Sequence, residues 1–414
     1  MTTPPEVVVT GMGMTTPLGG DVASTWQAAL AGQSGVRTLD NDWAQTYDLP
    51  VSFAARVKVD PAQVLTRPEI KRMDPSAQYA IIALRQAWAD AGAPEVDKVR
   101  LGAVVSSGIG GIWTTLDSWD TLREKGARRV LPMTVPMLMP NSPAAYVELE
   151  LGAQAGAHAL VSACASGAEA IGYAVEMIRR GRADVVVAGG TEAAIHPMPL
   201  AAFAASRTLS TRNDDPEGAS RPYDVERDGF VLGEGAGILV LESAEHAAAR
   251  GARIHARLSG VGLSSDGYHL TAPEPSGRGQ IAAMRAALVD AGLTAADIVH
   301  VNPHATSTVV GDLVEARSVR ALLGSTADRV ALSATKSMTG HLLGGAGAVE
   351  TIFTILALHD RLAPPTINVS QPDPELVLDL VRDTPRPLPS GQIAAINNSF
   401  GFGGHNVALV VTSA

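Results

Sequence analysis

Residues 158–181, HALVSACASGAEAIGYAVEMIRRG, run from an apolar strand through a small polar turn into a helix rich in small residues. A second stretch, VALSATKSMTGHLLGGAGAVETIFTILALHD at residues 330–360, follows the same order with an insertion at the turn. Strand–turn–helix units are common in α/β proteins, so one copy alone carries little weight. Two copies favour a chain of two similar halves, which we place at residues 1–252 and 253–414.

Short runs rich in β-branched residues alternate with helical segments, which predicts an α/β fold with mainly parallel strands. The predicted strands lie at residues 6–12, 101–108, 158–163, 183–190, 236–243, 256–263, 298–304, 330–337, 392–399 and 406–413. The clearest predicted helices lie at residues 144–154, 277–292 and 312–324.

The composition excludes several classes of protein. Only 18% of the 414 residues are charged, which argues against disorder, and the net charge of −10 argues against nucleic-acid binding. An acidic partner would therefore need a local basic patch. The apolar runs are too short to span a bilayer, and the N-terminus lacks the basic start and apolar stretch of a signal peptide. We expect a cytoplasmic protein without membrane insertion.

Cys164 is the only cysteine, so an intrachain disulfide is excluded and a reducing compartment is indicated. A lone cysteine is about as often a small buried hydrophobe as a reactive group. Cys164 precedes a predicted helix, whose free amides and dipole favour a thiolate. Small neighbours, Ala163, Ala165 and Gly167, leave room for a substrate beside the sulfur.

Three further elements could act with this thiol. Lys336 is the only lysine after Lys125 and lies in a Gly/Ala-rich segment, which makes it a candidate for chemistry. His304 and His341 follow predicted strands and could donate hydrogen bonds to a developing enolate. The GFGG sequence at residues 401–404 could supply a backbone amide to an oxyanion hole. Each element alone has an ordinary structural explanation, so their joint order along the chain is what matters.

That order resembles the β-ketoacyl-acyl-carrier-protein synthases of the thiolase superfamily, most nearly the synthase II branch of bacterial fatty-acid synthesis. The resemblance covers nearly the whole chain and includes the segments VVVTGMGMTTPLG, SGIGG, MPNSPAAYV, SACASGAEAIGYA, VVVAGGTEAA, STRNDDPEGASRPYDVERDGFVLGEGAG, SSDGYHLTAP, PPTINVSQPDPE and NNSFGFGGHNVALVV. It implies a thiolase-like five-layer αβαβα fold with two similar halves. It also implies a homodimer that needs no cofactor and no catalytic metal; a structural monovalent cation is left open.

The resemblance assigns catalytic roles by position. Cys164 corresponds to the nucleophile that accepts the acyl group, and His304 and His341 to the pair that acts on the malonyl group. Lys336 corresponds to the buried lysine that orders His341, with Glu350 as its partner.

The resemblance also assigns binding roles. The amides of Cys164 and Phe402 correspond to the oxyanion hole, and Thr306 and Thr308 to the pair that hydrogen-bonds the pantetheine arm. By the same resemblance, Ile109 lines the acyl pocket, Phe402 forms its gate, and Phe230 lies near its mouth.

The implied reaction is a decarboxylative Claisen condensation of an acyl-cysteine enzyme with malonyl-acyl-carrier protein, which elongates fatty acids. The acidic carrier protein needs concentrated positive charge. The candidates for that patch are Arg67, Lys71, Arg72, Arg128, Arg129 and Arg207. The segment MLMPNSPAAY and the strand before Cys164 are expected near the two-fold axis of the dimer.

Other functions fit less well. A biosynthetic thiolase needs a second cysteine, a chain-length partner lacks the nucleophile, and an initiating synthase has Asn in place of the second histidine. A nonenzymatic scaffold leaves the Cys, His, Lys and His set unexplained. The catalytic ketosynthase subunit of a polyketide synthase remains as the alternative.

The chain departs from the family pattern on both sides of His304, where Pro303 and Ala305 replace alanine and glycine. Proline removes an amide donor, and alanine does not take a positive φ as freely as glycine. The types of the catalytic residues are kept, so the expected activity stands, and the two replacements bear on its rate and on the geometry of the pantetheine site.

Overall fold

The computed structural model describes residues 4–414. The strands are β1 (Val7–Thr15), β2 (Arg37–Thr38), β3 (Phe53–Ala54), β4 (Leu101–Ser106), β5 (Ala157–His158), β6 (Val185–Glu192), β7 (Gly235–Ser243), β8 (Ala256–Ser265), β9 (Ile298–Asn302), β10 (Ala331–Leu332), β11 (Leu362–Ala363), β12 (Arg386–Pro387), β13 (Ala394–Gly401) and β14 (His405–Ser413). The helices are α1 (Val22–Leu30), α2 (Trp43–Thr46), α3 (Arg67–Arg72), α4 (Pro75–Asp90), α5 (Ile112–Lys125), α6 (Thr134–Leu138), α7 (Ser142–Leu151), α8 (Ser166–Arg179), α9 (Pro197–Ala205), α10 (Ala244–Ala249), α11 (Arg278–Ala291), α12 (Val309–Leu323), α13 (Lys336–Thr339) and α14 (Ala346–Asp360).

Ten of these strands are hydrogen-bonded to one another, in the order β10-β9-β13-β14-β8-β1-β7-β6-β4-β5. The order divides at the short β8–β1 contact into two sets of five, and each set has the same sequence of strand directions. In each set only the two outermost pairings are parallel, and the others are antiparallel. The expectation of mainly parallel strands is therefore wrong, in part because β13 and β14 are joined by a tight turn that reverses the chain.

The helices form layers on both sides of these strands. Helices α8 and α14 pack against strands of both sets, so they form the central layer between two sheets. Helices α4 and α7 cover the outer face of the set β1-β7-β6-β4-β5, and α11 covers the outer face of the set β10-β9-β13-β14-β8, with α12 packed beside it. This arrangement is the five-layer αβαβα fold with two similar halves.

Equivalent glycines mark the similarity of the halves. A Cβ added to Gly11 in β1 would lie 2.2 Å from the carbonyl oxygen of Ala87 in α4. A Cβ added to Gly260 in β8 would lie 2.1 Å from the carbonyl oxygen of Ala287 in α11. Each half thus uses glycine to let an outer helix approach its first strand closely.

The predicted strands and helices are found, but two strands are shorter than expected. The strand predicted at residues 158–163 pairs only at Ala157–His158, because the chain then turns and the amide of Leu160 donates to the Ser106 hydroxyl. The strand predicted at residues 330–337 pairs only at Ala331–Leu332. Within residues 4–414, no helix combines the length and apolar character needed to cross a membrane.

Candidate active site

Cys164 lies in a single 3₁₀ turn, Ala163–Ala165, that leads directly into α8. Ala163 has φ 52, a left-handed conformation that is uncommon for a residue with a side chain. The end of β13 packs against this turn, since a Cβ added to Gly401 would lie 2.3 Å from the Ser162 carbonyl oxygen. The lack of a side chain at Gly401 thus brings the GFGG turn beside the thiol.

Burial governs the chemistry of the Cys164 thiol. It raises the pKa of the thiol to about 11, although the backbone N–H groups of Phe402 and of Cys164 itself hydrogen-bond the sulfur and lower that pKa. The amides at the helix start lower the pKa, in the expected direction, but desolvation outweighs them and the net pKa of the thiol is raised. The same two amides, the pair predicted for the oxyanion hole, thus converge on the sulfur.

His304 follows β9 and is held through its backbone. The Glu315 carboxylate accepts the amide of His304 and the amide of Ala305, each at 2.8 Å. Asn398 on β13 donates to the same carboxylate at 3.1 Å. Both peptide groups are thus fixed by one side chain, and the imidazole is left free to face the cavity.

His341 lies across the cavity on an irregular segment. Its amide donates to the Val231 carbonyl at 2.7 Å, and its own carbonyl accepts the amide of Gly233 at 2.9 Å. Its ring meets that of His304 edge-to-face, with 5.2 Å between ring centroids. Burial, followed by the nearby charge of Lys336, holds the pKa of both imidazoles well below the usual value, so both are neutral at pH 7.

Lys336 and Glu350 form a buried ion pair with 2.5 Å between Nζ and Oε1. Both side chains are almost fully inaccessible to solvent. Burial raises the pKa of Glu350 to about 7, against the opposing attraction of Lys336. Neither residue lines the cavity, and the charge of Lys336 is felt there through the lowered pKa of His304 and His341.

A cavity of about 510 Å³ brings the predicted residues together. The predicted site residues on its wall are Cys164, His304, His341, Thr306, Thr308, Ile109, Phe230, Phe402 and Arg207. The hydroxyl groups of Thr306 and Thr308 lie 3.2 Å apart. Phe230 packs against the His341 ring, with 5.5 Å between centroids.

Two sequence models of one family match this chain in order. The β-ketoacyl synthase N-terminal domain matches residues 5–247, and the β-ketoacyl synthase C-terminal domain matches residues 255–370. The chain belongs to the β-ketoacyl synthase family. It is 48% identical to the 3-oxoacyl-[acyl-carrier-protein] synthase 2 of Mycobacterium tuberculosis, over 98% of this chain and 96% of the relative. It is 44% identical to the protein of that name in Mycobacterium leprae, over the same shares.

Solved structures show the same ketosynthase fold. A β-ketoacyl synthase from Burkholderia phymatum superimposes with a TM-score of 0.90 at 36% identity, over 99% of this chain and 100% of the other. A type II polyketide synthase acyl-carrier protein in complex with its ketosynthase bound to the hexaketide gives a TM-score of 0.92 at 30% identity, over all of both chains.

The loop that distinguishes this β-ketoacyl synthase from the family pattern takes an unexpected form. Its left-handed residue is Ser307, with φ 71, and Ala305 does not have a positive φ. The Ser307 hydroxyl accepts the amide of Arg221, and its carbonyl accepts the amide of Gly229. Ala305 therefore does not take the left-handed conformation that alanine disfavours, because that position falls two residues later, at Ser307.

Three buried charged residues of this synthase escape the sequence reasoning. Glu315 fixes the His304 loop, and Glu192 lies on the cavity wall. Arg227 donates to the carbonyls of Thr308 at 3.1 Å and Val309 at 2.7 Å. Each follows or precedes a glycine- or threonine-rich motif, which is the one signal that could have drawn attention to them.

The six predicted docking residues are all exposed. Arg67, Lys71 and Arg72 lie on α3, and Arg128 and Arg129 lie in the 3₁₀ turn after α5. Only Arg207, at the end of α9, lines the cavity. None of the six belongs to an ion pair among the residues that the structure describes.

Proposed function

We propose that this β-ketoacyl synthase condenses an acyl group, held on Cys164, with malonyl-acyl-carrier protein to give 3-oxoacyl-acyl-carrier protein in fatty-acid elongation. The observation that carries the proposal is a single cavity where Cys164, with two amides on its sulfur, faces two neutral imidazoles. The mycobacterial relatives named as synthase 2 support the same reaction.

The first step transfers the acyl group. The Cys164 sulfur attacks the thioester carbon, and the amides of Cys164 and Phe402 stabilise the tetrahedral oxyanion. The bond from carbon to the carrier sulfur breaks, and the carrier thiol takes up the proton that Cys164 gave. Because the resting thiol is protonated, its proton has to leave as the new carbon–sulfur bond forms.

The second step joins two carbon atoms. The bond between the α-carbon of the malonyl group and its carboxylate carbon breaks, and carbon dioxide leaves. The electron pair of that bond stays on the malonyl fragment and forms an enolate. His304 and His341, as neutral donors, stabilise the enolate oxygen. The enolate carbon then attacks the acyl-cysteine, the carbon–sulfur bond breaks, and the departing Cys164 thiolate takes up a proton from water. Lys336 contributes through His341 and the local field.

Intact-mass analysis tests this function. The protein is incubated with acyl-carrier proteins that bear saturated acyl groups of increasing length, and the adduct is mapped to Cys164. We expect one acyl group per chain on Cys164, followed by its loss when malonyl-carrier protein is added. Absence of any Cys164 adduct with every carrier would contradict the proposal.

A second candidate function is the catalytic ketosynthase role in polyketide synthesis. The structural match to a ketosynthase bound to a hexaketide favours it. The two functions differ in the groups that Cys164 accepts. Saturated acyl groups taken in preference to poly-β-keto groups of equal length support fatty-acid elongation, and the reverse preference supports the polyketide role.

We propose that the acidic acyl carrier protein docks on the exposed, unpaired cations of α3 and its neighbours. Exchanging Lys71 and Arg72 together for glutamate is expected to raise the KM for carrier-bound substrates about tenfold, because steering charge is lost. A small thioester mimic should react at the wild-type rate. The control exchanges Arg317 and Arg320 on α12, which already pair with carboxylates, for glutamate and should leave this KM unchanged. Equal losses on both substrates would contradict the docking site.

We also propose that the protein is cytoplasmic and that its two halves meet between residues 252 and 253. We further propose that it forms a homodimer. Exposed apolar side chains lie on the segment before α7 and on the stretch before Cys164, and they support the dimer. These are Leu131, Met133, Val135, Met139 and Val161. Sedimentation equilibrium should give twice the chain mass of 42.8 kDa. A stable monomer at micromolar concentration would contradict it.

A further inference from the structure

Glu192 is a buried carboxylate that the proposed reaction does not use. It ends β6, is fully inaccessible to solvent, and lies on the wall of the cavity that holds Cys164. Burial raises its pKa to about 7, and the influences that lower this pKa are hydrogen bonds. A carboxylate buried in this way destabilises a protein unless its hydrogen bonds compensate, so the identity of its partners is informative.

The partners of Glu192 come from two different turns. One oxygen accepts the Ser107 hydroxyl at 2.6 Å and the Ile109 amide at 3.4 Å. The other accepts the Gly108 amide at 2.8 Å and the Gly344 amide at 3.1 Å. The first turn follows β4, and the second begins α14 in the other half of the chain. Glu192 therefore ties the two turns together.

The nucleophile lies against this junction. A Cβ added to Gly108 would lie 3.1 Å from the Ala163 carbonyl oxygen, next to Cys164. A Cβ added to Gly344 would lie 2.4 Å from the Gly108 amide nitrogen. Side chains at these two glycines would press on the neighbouring backbone, so the two turns pack closely against each other and against the Cys164 turn while the carboxylate holds both.

We propose that Glu192 is a positioning residue that fixes the Ile109 turn against the Cys164 turn and thereby sets which acyl groups fit beside the thiol. The inference rests on the proposed acyl transfer to Cys164. Ile109 is the apolar side chain of that turn on the cavity wall. When the carboxylate is lost, the amides of Gly108 and Gly344 lose their shared acceptor, and Ile109 is no longer held.

The test compares acylation of Cys164 by a carrier with a short acyl group and a carrier with a long one, using intact mass to obtain both rates. In Glu192→Gln and Glu192→Ala we expect the ratio of the two rates to change by about tenfold, the scale of pocket discrimination. Sodium acetate should restore the ratio of Glu192→Ala by binding the freed amides of Gly108, Ile109 and Gly344. It should not restore Glu192→Gln, whose amide side chain fills the space.

Glu242→Gln is the matched control. Glu242 is also a fully buried carboxylate, at the opposite end of the β6–β7 pair and away from the cavity. We expect this variant to lower thermal stability, as the Glu192 variants do, with the wild-type ratio of rates. A ratio that is unchanged in the Glu192 variants would show a purely structural role and overturn the proposal.

If Glu192→Gln and Glu192→Ala fail to fold, the same ratio of acylation rates is measured in Glu192→Asp. It retains the charge on a shorter arm and should change the ratio in the same direction by a smaller factor. A Glu192→Asp enzyme with the wild-type ratio would also overturn the proposal. If the wild-type protein forms no Cys164 adduct, the proposed function fails, which is a different result.

Discussion

The two halves of the molecule each begin their central helix in the same way. The turn Ala163–Ala165 leads into α8, and the turn Leu343–Gly345 leads into α14. The first residue of each turn is left-handed, with φ 52 at Ala163 and φ 47 at Leu343. The two turns pack against each other at the centre of the molecule.

The middle residue of each turn distinguishes the halves. In the first half it is Cys164, whose amide points at its own sulfur and toward the cavity. In the second half it is Gly344, whose amide donates to the Glu192 carboxylate. The two turns thus present an amide to different groups, a carboxylate in the second half and the nucleophilic sulfur in the first; in the proposed reaction the Cys164 amide stabilises the oxyanion. We infer that the first half holds the acyl group and the second supplies the groups for decarboxylation.

The largest expected effect comes from removing the thiol of the first turn. Cys164→Ala should form no acyl adduct and lose condensation by at least about a thousandfold, since no other group can carry the acyl chain. Intact mass and a condensation assay measure both. Adding Gly344→Cys should not restore the adduct, because that turn has no room for a side chain. An adduct on residue 344 would contradict the conclusion that only the turn of the first half can hold the acyl group.

Removing the lysine of the second half should mainly lower stability. Lys336→Met leaves Glu350 buried without its partner, which typically destabilises a protein by about 3–5 kcal/mol where the carboxylate stays charged, and by less where Glu350 takes up a proton. Urea unfolding measures the loss. The double variant Lys336→Met with Glu350→Gln should recover part of it, because no unpaired charge remains. A double variant less stable than Lys336→Met alone would contradict this account.

The stability of Lys336→Met should also depend on pH. The pKa of Glu350 is already raised from 4.5 to about 7, and without Lys336 it rises further. The folded state then holds a proton that the unfolded chain releases, so the free energy of unfolding falls as the pH rises from 4.5 through the folded pKa. Unfolding at about pH 5.5 and about pH 8 measures the slope. The double variant should show a smaller slope.

The sequence predicts the strands better than their directions. Strands β1, β6, β7 and β14 are rich in β-branched and other apolar residues, which local pattern reveals, whereas the direction of β7 depends on its distant partner β1. Cys164, the histidines and Lys336 stand out by residue type and by motif. Glu192 does not, because an acid at the end of a strand looks like an exposed charge until its four donors are seen together.

His341→Ala separates the tasks of the two halves. Acyl transfer needs the thiol and the amides of Cys164 and Phe402, and none of these belongs to His341. Decarboxylation places negative charge on the malonyl thioester oxygen, where a neutral imidazole donates. His341→Ala should therefore still form the Cys164 adduct but decarboxylate malonyl-carrier protein at least about a hundredfold more slowly, the usual effect of losing one such donor. Intact mass follows the first step and carbon dioxide release the second, with Phe230→Leu as a packing control beside the same ring. Loss of acylation with intact decarboxylation would reverse the roles of the two halves.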